Sequence, residues 1–136
     1  MCGIVGITAS HPVAPELVVA LFSMQHRGQD AAGIVTLDDG HLGGVKGLGQ
    51  VDAALPARQV AELSGNVGIG HVRYPTHGGA GLDDTHPYIT RLGGLALAHN
   101  GNLTNTRELS DQLFRVDRRH LNTSSDTELL VNVLAH

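Results

Sequence analysis

One cysteine, placed directly after the first methionine, has the best-defined chemistry in this sequence. Cys2 is the only cysteine among the 136 residues. If Met1 is removed, Cys2 carries a free α-amine beside its thiol, and an amine with a pKa of about 7.7–8.0 can act as a base near neutral pH. A thiol beside a base gains thiolate character and becomes a nucleophile. The alternative is a small buried hydrophobic side chain, and position alone favours that alternative.

Three further positions carry polar side chains where a predicted strand ends or a helix begins. Arg73 stands at the end of a strand, Asn100-Gly101 follows another strand, and Asp126 lies in the first turn of a helix. Strand ends and loops are where catalytic groups concentrate. Each position also has an ordinary interpretation: a surface or paired arginine, a turn dipeptide and an acidic residue that favours the helix dipole.

Four histidines raise the question of a metal site. They are His71, His77, His86 and His99. Their spacings match no standard pattern of metal ligands. The sequence therefore predicts no metal site in this segment.

The hydrophobic pattern predicts the elements that would position these residues. Strands are expected at residues 3–8, 31–37, 41–49, 66–74, 86–89 and 95–100, and helices at residues 15–26, 57–64, 106–115 and 126–136. Residues 38–40 and 93–94 are typical of tight hairpin turns. Asn105 and Ser125 are placed as helix N-caps, and Glu128 would complete a capping box with Ser125. We therefore expect an α+β fold with mainly antiparallel sheets between layers of helices.

Composition narrows the class of protein. The chain is one domain by length, and its net charge of −4 argues against a nucleic-acid surface, which needs a basic stripe. A lone cysteine fits a reducing compartment, and no apolar run is long enough to span a bilayer. We expect a cytoplasmic protein with neither a nucleic-acid nor a membrane partner.

Five blocks of sequence together resemble the class II glutamine amidotransferases, whose glutaminase domain is an N-terminal-nucleophile hydrolase. The blocks span residues 2–7, 26–34, 70–78, 99–105 and 125–128, and read CGIVGI, HRGQDAAGI, GHVRYPTHG, HNGNLTN and SDTE. They follow the family's order at family-like intervals. The resemblance implies an αββα sandwich. It also implies that residues 1–136 form the N-terminal part of a truncated glutaminase domain, because the family's domain continues well beyond this length.

The resemblance implies how the nucleophile would work. Cys2 would attack the side-chain carboxamide of glutamine, with its own α-amine as the base. The Asn100 side-chain amide and the Gly101 backbone N–H would hold the tetrahedral oxyanion. Ammonia would leave, and water would hydrolyse the thioester to give glutamate. Arg27 and Gly28 would support the nucleophile loop.

The same resemblance implies a pocket for the α-carbon end of glutamine. Arg73 would bind the carboxylate with its guanidinium fork, and Asp126 would bind the ammonium group. Thr76 and His77 would complete the pocket. Because one amino acid carries both charges, Arg73 and Asp126 are expected on opposite sides of one small pocket beside Cys2.

Within the family, the blocks are most similar to the amidophosphoribosyltransferase branch, the glycosyltransferases of the first committed step of purine biosynthesis. His77 and the pair His86-Pro87 are more similar to the glucosamine-6-phosphate synthase branch. The domain that accepts ammonia would lie outside these residues. No cofactor is expected in this segment, since Mg²⁺ would belong to the missing phosphoribosyltransferase domain. The full-length enzyme is expected to be a homo-oligomer.

Two other interpretations stay open. The chain could be a non-catalytic fragment that binds glutamine without turning it over, which retention of Met1 would favour because the α-amine of Cys2 would be blocked. It could also be a cysteine–histidine hydrolase that uses His71 or His99 as its base and does not need Met1 removed.

Overall fold

The computed structural model describes residues 1–74, 81–90 and 94–135. The strands in this part of the chain are β1 (Gly3–Thr8), β2 (Ala31–Asp38), β3 (His41–Leu48), β4 (Val67–Arg73), β5 (Tyr88–Thr90) and β6 (Leu95–Leu97). The helices are α1 (Ala14–Ser23), α2 (Val51–Ala54), α3 (Ala57–Val60), α4 (Thr106–Arg115) and α5 (Asp126–Leu134), and 3₁₀ turns cover Gln25–Arg27 and Leu82–Asp84. None of the described helices is long and apolar enough to cross a membrane.

The strands form two antiparallel sheets. The larger sheet has the order β1-β4-β2-β3, and β5 pairs with β6 in the smaller one. Gly3 of β1 is paired with Val72 of β4, and Ala31 of β2 is paired with Arg73. This register brings Cys2, which directly precedes β1, beside the end of β4.

Helix α1 covers one face of the larger sheet. Leu17 and Leu21 of α1 are fully buried there, and glycines in β4 make room for them. A Cβ atom at Gly68 would lie 2.7 Å from Leu17 Cδ1, and one at Gly70 would lie 3.2 Å from Leu21 Cδ1. Because side chains alternate along a strand, His71 lies on the opposite face of β4 from these two glycines.

The smaller sheet lies against that opposite face. A Cβ atom at Gly33 of β2 would overlap the backbone oxygen of His86, and one at Gly44 of β3 would lie 3.2 Å from Ile89 Cδ1. Helix α5 packs on β5 and β6, and α4 packs on α5. The layers are therefore helix, sheet, sheet, helix, and the predicted α+β sandwich with antiparallel sheets is confirmed.

Several predicted element boundaries were wrong. The helix expected at 15–26 ends at Ser23, and a separate 3₁₀ turn follows. The Gln25 side chain explains this turn, because it donates to the Gly28 carbonyl at 2.6 Å and accepts from the Val51 N–H at 2.8 Å. The expected helix at 57–64 is confined to α3, α2 was not predicted, and the strand expected at 95–100 ends at Leu97.

The predicted capping box is confirmed at Ser125 and wrong at Glu128. Ser125 accepts a hydrogen bond from the Thr127 N–H at 3.2 Å. Glu128 does not reach back to Ser125. Its carboxylate accepts four hydrogen bonds of 2.7–2.9 Å from the backbone and side chains of Asn122 and Thr123. Asn105 stands at the N-cap of α4, as predicted, but its side chain makes no capping hydrogen bond.

Candidate active site

The predicted nucleophile lies where β1 begins and β4 ends. Cys2 is half-buried, and its Sγ accepts from the Tyr74 N–H at 3.4 Å and lies 3.6 Å from the Tyr74 carbonyl oxygen. Arg27 Nε donates to the Cys2 carbonyl oxygen at 3.1 Å. The thiol is thus placed by backbone groups of Tyr74, the residue directly after β4, and Arg27 anchors the peptide group of the nucleophile itself.

Gly28 lies behind Arg73 and permits a close approach of two backbones. A Cβ atom at Gly28 would lie 2.6 Å from Arg73 C and 2.8 Å from both Arg73 N and Arg73 O. Gly28 has extended backbone angles, with φ of −165°. Its requirement for glycine therefore comes from the space that Arg73 occupies and not from backbone strain.

The side chain of Arg73 is oriented by the turn that precedes β5. Arg73 Nη1 donates to the Asp84 carbonyl oxygen at 2.8 Å. One hydrogen bond of this kind uses one of the five guanidinium N–H groups. Arg73 is half-buried, and against the described residues its guanidinium keeps further donors for a ligand.

Asp126 joins helix α5 to the loop after β6. Its Oδ2 accepts from the Leu103 N–H at 2.9 Å, and its Oδ1 lies 4.0 Å from His99 Nδ1. Asp126 thus fixes the shape of the loop that carries Asn100 and Gly101. A favourable interaction with the dipole of helix α5 does not by itself explain these contacts of Asp126.

The side-chain amide of Asn100 is oriented by a histidine. Asn100 Oδ1 lies 2.9 Å from Nε2 of His71. With the Asn100 oxygen facing the ring, the matching tautomer of neutral His71 carries its proton on Nε2. The NH₂ group of Asn100 is then directed away from His71. Asn100 is exposed, so these two donors are accessible to a ligand.

His71 stacks on a second buried histidine. The ring centroids of His71 and His86 are 4.4 Å apart with 28° between the planes. Burial lowers the pKa of His71 to about 4, with Arg73 acting in the same direction and the hydrogen bond to Asn100 opposing it. Burial first, and then the nearby charges of His71 and Arg73, lower the pKa of His86 to about 3. Both rings are neutral at pH 7.

The predicted site residues come together in one cavity of about 780 Å³. Its walls include Cys2, Arg27, Arg73, Asn100, Gly101 and Asp126. Gly28 lies behind Arg73, and Thr76 and His77 lie outside the described residues. From the sequence, His71 was considered only as an alternative base, and His86, Tyr74 and Asp84 were given no catalytic or substrate-binding role, although all four also line the cavity. His71 and Tyr74 could have been identified from the sequence, since both stand in the block that contains Arg73.

The two histidines considered as bases contact other groups than the thiol. His71 Nε2 is bonded to Asn100, and His99 Nδ1 faces Asp126 and Thr127. The hydrogen bonds of the Cys2 thiol within the described residues go to the Tyr74 backbone. The geometry gives no support to a cysteine–histidine pair. In the same residues no group of three or more histidine, cysteine or acidic side chains could hold a metal ion.

Known proteins resemble this chain in sequence and in fold. A family model described as glutamine amidotransferases class-II matches residues 50–130. The chain belongs to the class II glutamine amidotransferases. It is 51% identical over its whole length to the amidophosphoribosyltransferase of Pasteurella multocida and 50% identical over 99% of its length to that of Escherichia coli. The glutamine phosphoribosylpyrophosphate (PRPP) amidotransferase from B. subtilis, solved with ADP and GMP, matches 98% of the chain with a TM-score of 0.83 and 35% identity.

The match covers only part of these relatives. The glutamine amidotransferase chain spans 27% of the two curated relatives and 29% of the B. subtilis chain. Their names therefore describe proteins several times longer than the residues described here.

Proposed function

We propose that this chain hydrolyses glutamine to glutamate and ammonia at Cys2, as the glutaminase part of an amidophosphoribosyltransferase. The observation that carries the proposal is the single cavity in which a thiol, a guanidinium, a carboxylate and a free amide NH₂ group meet. Free glutamine presents one group that matches each of them. Family membership supports the same assignment.

The first step is attack of the Cys2 thiolate on the γ-carboxamide carbon of glutamine. Removal of Met1 leaves the α-amine of Cys2, which accepts the thiol proton and returns it to the leaving ammonia. The C–S bond forms and the carbonyl oxygen becomes an oxyanion, which the Asn100 NH₂ group and the Gly101 N–H stabilise. Collapse breaks the C–N bond and leaves a γ-glutamyl thioester. Water then adds to the thioester and releases glutamate and the thiol.

Arg73 and Asp126 bind the other end of the substrate. The guanidinium donors of Arg73 that Asp84 leaves unused suit the α-carboxylate. The Asp126 carboxylate suits the α-ammonium group, and its existing bond to Leu103 holds it in place before glutamine arrives. Arg27, Gly28, Thr76 and His77 are proposed as supporting and pocket residues.

The ammonia would be used outside these residues. The amidophosphoribosyltransferase names of the relatives support transfer to phosphoribosylpyrophosphate, the opening step of purine biosynthesis. Mg²⁺ would act only in that acceptor domain, and no cofactor is proposed here. A homo-oligomeric, cytoplasmic full-length enzyme remains our prediction.

The decisive experiment combines mass spectrometry with an assay of glutamate release. The protein, in the form in which its source organism makes it, should lack Met1 and should release glutamate from glutamine. Cys2→Ala should abolish release while the protein stays folded. A Cys2→Ala variant that works at the parent rate would contradict the proposal, and retained Met1 together with glutamine binding but no turnover would favour a binding module.

The acceptor is tested separately. Phosphoribosylpyrophosphate should be consumed with glutamine, whereas fructose 6-phosphate should not be. The reverse preference would move the protein to the glucosamine-6-phosphate synthase branch without affecting the assignment of Cys2.

A further inference from the structure

The oxyanion donor Asn100 has two separate anchors, and both are buried histidines. His71 Nε2 holds the Asn100 side chain at 2.9 Å. His86 Nδ1 accepts from the backbone N–H of His99 at 3.3 Å, which is the residue directly before Asn100. The stacking of the two rings joins these anchors into one unit.

We propose that the stacked pair His71–His86 positions Asn100 so that its NH₂ group, and not its oxygen, faces the reacting carbonyl. The pair consists of positioning residues, because the contacts that we assign to it go to Asn100 and His99 and not to the substrate. This inference rests on the proposed glutaminase function and adds residues to it that the family resemblance did not assign.

The orientation of an asparagine amide depends on what its neighbour can donate. An amide rotated by half a turn exchanges its oxygen for its nitrogen at nearly the same positions. Such a rotation would place Asn100 Oδ1 toward the developing oxyanion, where two negative oxygens repel. A protonated Nε2 on His71 accepts no hydrogen bond, so it excludes the rotated amide. His71 therefore selects the orientation that stabilises the oxyanion.

The groups around the two rings keep the proton of His71 on Nε2 and keep both rings neutral. His71 is 1% exposed and His86 is 7% exposed. The charged and titratable groups near them are Arg73 on β4, Lys46 on β3, Tyr88 on β5 and His99 after β6. The cationic groups in this set oppose a second proton on either ring. Among the described residues, His71 Nδ1 has no hydrogen-bond partner, so a proton there would be buried without an acceptor.

The two anchors act through different ring nitrogens, and this permits a crossed experiment. The amide end of glutamine reaches approximately the place of Nε2, whereas the shorter asparagine reaches approximately the place of Nδ1. His71→Gln should therefore keep the donor to Asn100 and His71→Asn should lose it. At position 86 the preference should reverse, because His86→Asn keeps an acceptor for the His99 N–H and His86→Gln does not. His41→Gln, on the exposed surface of β3, is the matched control.

The measurements are kcat and KM for glutamate release by the protein as its organism makes it. We expect His71→Asn to lower kcat about tenfold or more, as for a disturbed oxyanion donor, with KM changed less than about twofold. His71→Gln should recover most of the parent kcat. The kcat of His86→Asn should be higher than that of His86→Gln. Equal kcat for both substitutions at each position would overturn the inference, and so would an effect on KM alone.

A binding measurement separates this inference from the proposed function. The aldehyde analogue of glutamine forms a tetrahedral adduct with a thiol, whereas glutamate does not. His71→Asn should weaken aldehyde binding about tenfold and leave glutamate binding unchanged, and His71→Gln should restore it. Equal loss for both ligands would indicate a merely structural role and overturn the inference. A parent protein that neither releases glutamate nor binds the aldehyde would instead contradict the proposed function.

Discussion

At the scale of the residue, Arg73 and Asp126 each have a partner already, and this shapes how they should be tested. Arg73 donates to Asp84, and Asp126 accepts from Leu103. Removing a buried partner leaves the other group unpaired, which costs free energy apart from any effect on the ligand. A substitution that retains the internal bond is therefore more informative than one that removes the side chain.

Asp126→Asn should raise KM for glutamine about tenfold or more with little change in kcat. The amide retains an oxygen for the Leu103 N–H but loses the charge that attracts the α-ammonium group, and hydrogen bonds to charged groups are worth about 1.5–3 kcal/mol. Uniform binding of this kind affects KM and not turnover. Arg73→Ala should act in the same direction, with the exposed Arg58→Ala on α3 as its control. Unchanged glutamine affinity in both variants would remove the pair from the binding site.

Asn100→Ala should lower kcat and leave KM nearly unchanged, which is the opposite of the effect expected for Asp126→Asn. Loss of an oxyanion donor typically lowers kcat by about 10²–10³. The KM for glutamine should stay within about twofold, because the NH₂ group of Asn100 is assigned to a charge that exists only after attack. Steady-state kinetics of glutamate release measure both constants. A variant with normal kcat would show that Asn100 does not serve the oxyanion.

The close packing of Gly28 against the Arg73 backbone can be tested by one substitution. Gly28→Ala would place a methyl group 2.6 Å from Arg73 C, so the strand end must move. Overpacking of this kind costs about 1–3 kcal/mol, and displacement of Arg73 should also raise KM. Gly6→Ala on β1 is the control, since its nearest neighbour would lie 3.9 Å away. Thermal unfolding and kinetics of the two variants should differ clearly, and similar values would refute the packing argument.

At the scale of the element, Glu128 organises the loop before α5. Burial would raise the pKa of Glu128, but the hydrogen bonds from Asn122 and Thr123 outweigh this effect and the pKa lies below its ordinary value. Thr123 also accepts from the Ser125 N–H at 3.1 Å through its hydroxyl oxygen. The hydroxyl therefore connects the acid to the N-cap, in place of the direct bond of a capping box.

Glu128→Ala should destabilise the protein by about 2–4 kcal/mol, because it leaves several donors of the loop without an acceptor. Exchange of the Asn122 and Thr123 amide hydrogens should become faster at the same time. The exposed Glu62→Gln should change neither quantity. Protection of these amides that survives in Glu128→Ala would show that something else holds the loop.

The helices show which parts of the fold could be predicted from the sequence and which could not. The helix at 106–115 was predicted at its observed bounds from Asn105 and Glu108, which have the spacing of a helix start. Helix α2 was missed because four residues carry no period, and its Val51 N–H depends on Gln25, a residue 26 positions earlier in the chain. Similarly, the motifs predicted that Asn100 and Cys2 are important, but the contact between Asn100 and His71 depends on how the two sheets meet.

At the scale of the whole molecule, small residues bring the two sheets together around the histidine pair. Gly33 of the larger sheet faces the backbone of His86, so a side chain at this position would separate the layers. The close approach excludes water and lowers the pKa of both rings. The same packing that orients Asn100 therefore makes the fold sensitive to acid.

We expect the free energy of unfolding to fall below neutral pH because of the stacked pair His71–His86. Unfolded histidines take up a proton near pH 6.5, whereas folded His71 and His86 do so at about 4 and about 3. Between these values the unfolded state binds more protons, so the stabilising contribution is complete above about pH 6.5 and is lost as the pH falls. Each histidine adds a slope of up to about 1.4 kcal/mol per pH unit.

The pH range from 6.5 to 5 isolates this effect from Glu128, whose lowered pKa acts below about 4.5. Hydrogen exchange of β4 amides, corrected for the intrinsic effect of pH, gives the free energy of opening. His86→Asn keeps the acceptor for His99 and removes one titrating group, so its slope should be smaller by up to about 1.4 kcal/mol per pH unit. His41→Gln should retain the parent slope. Equal slopes in the parent and in His86→Asn would mean that His86 titrates normally and that the layers around it admit water.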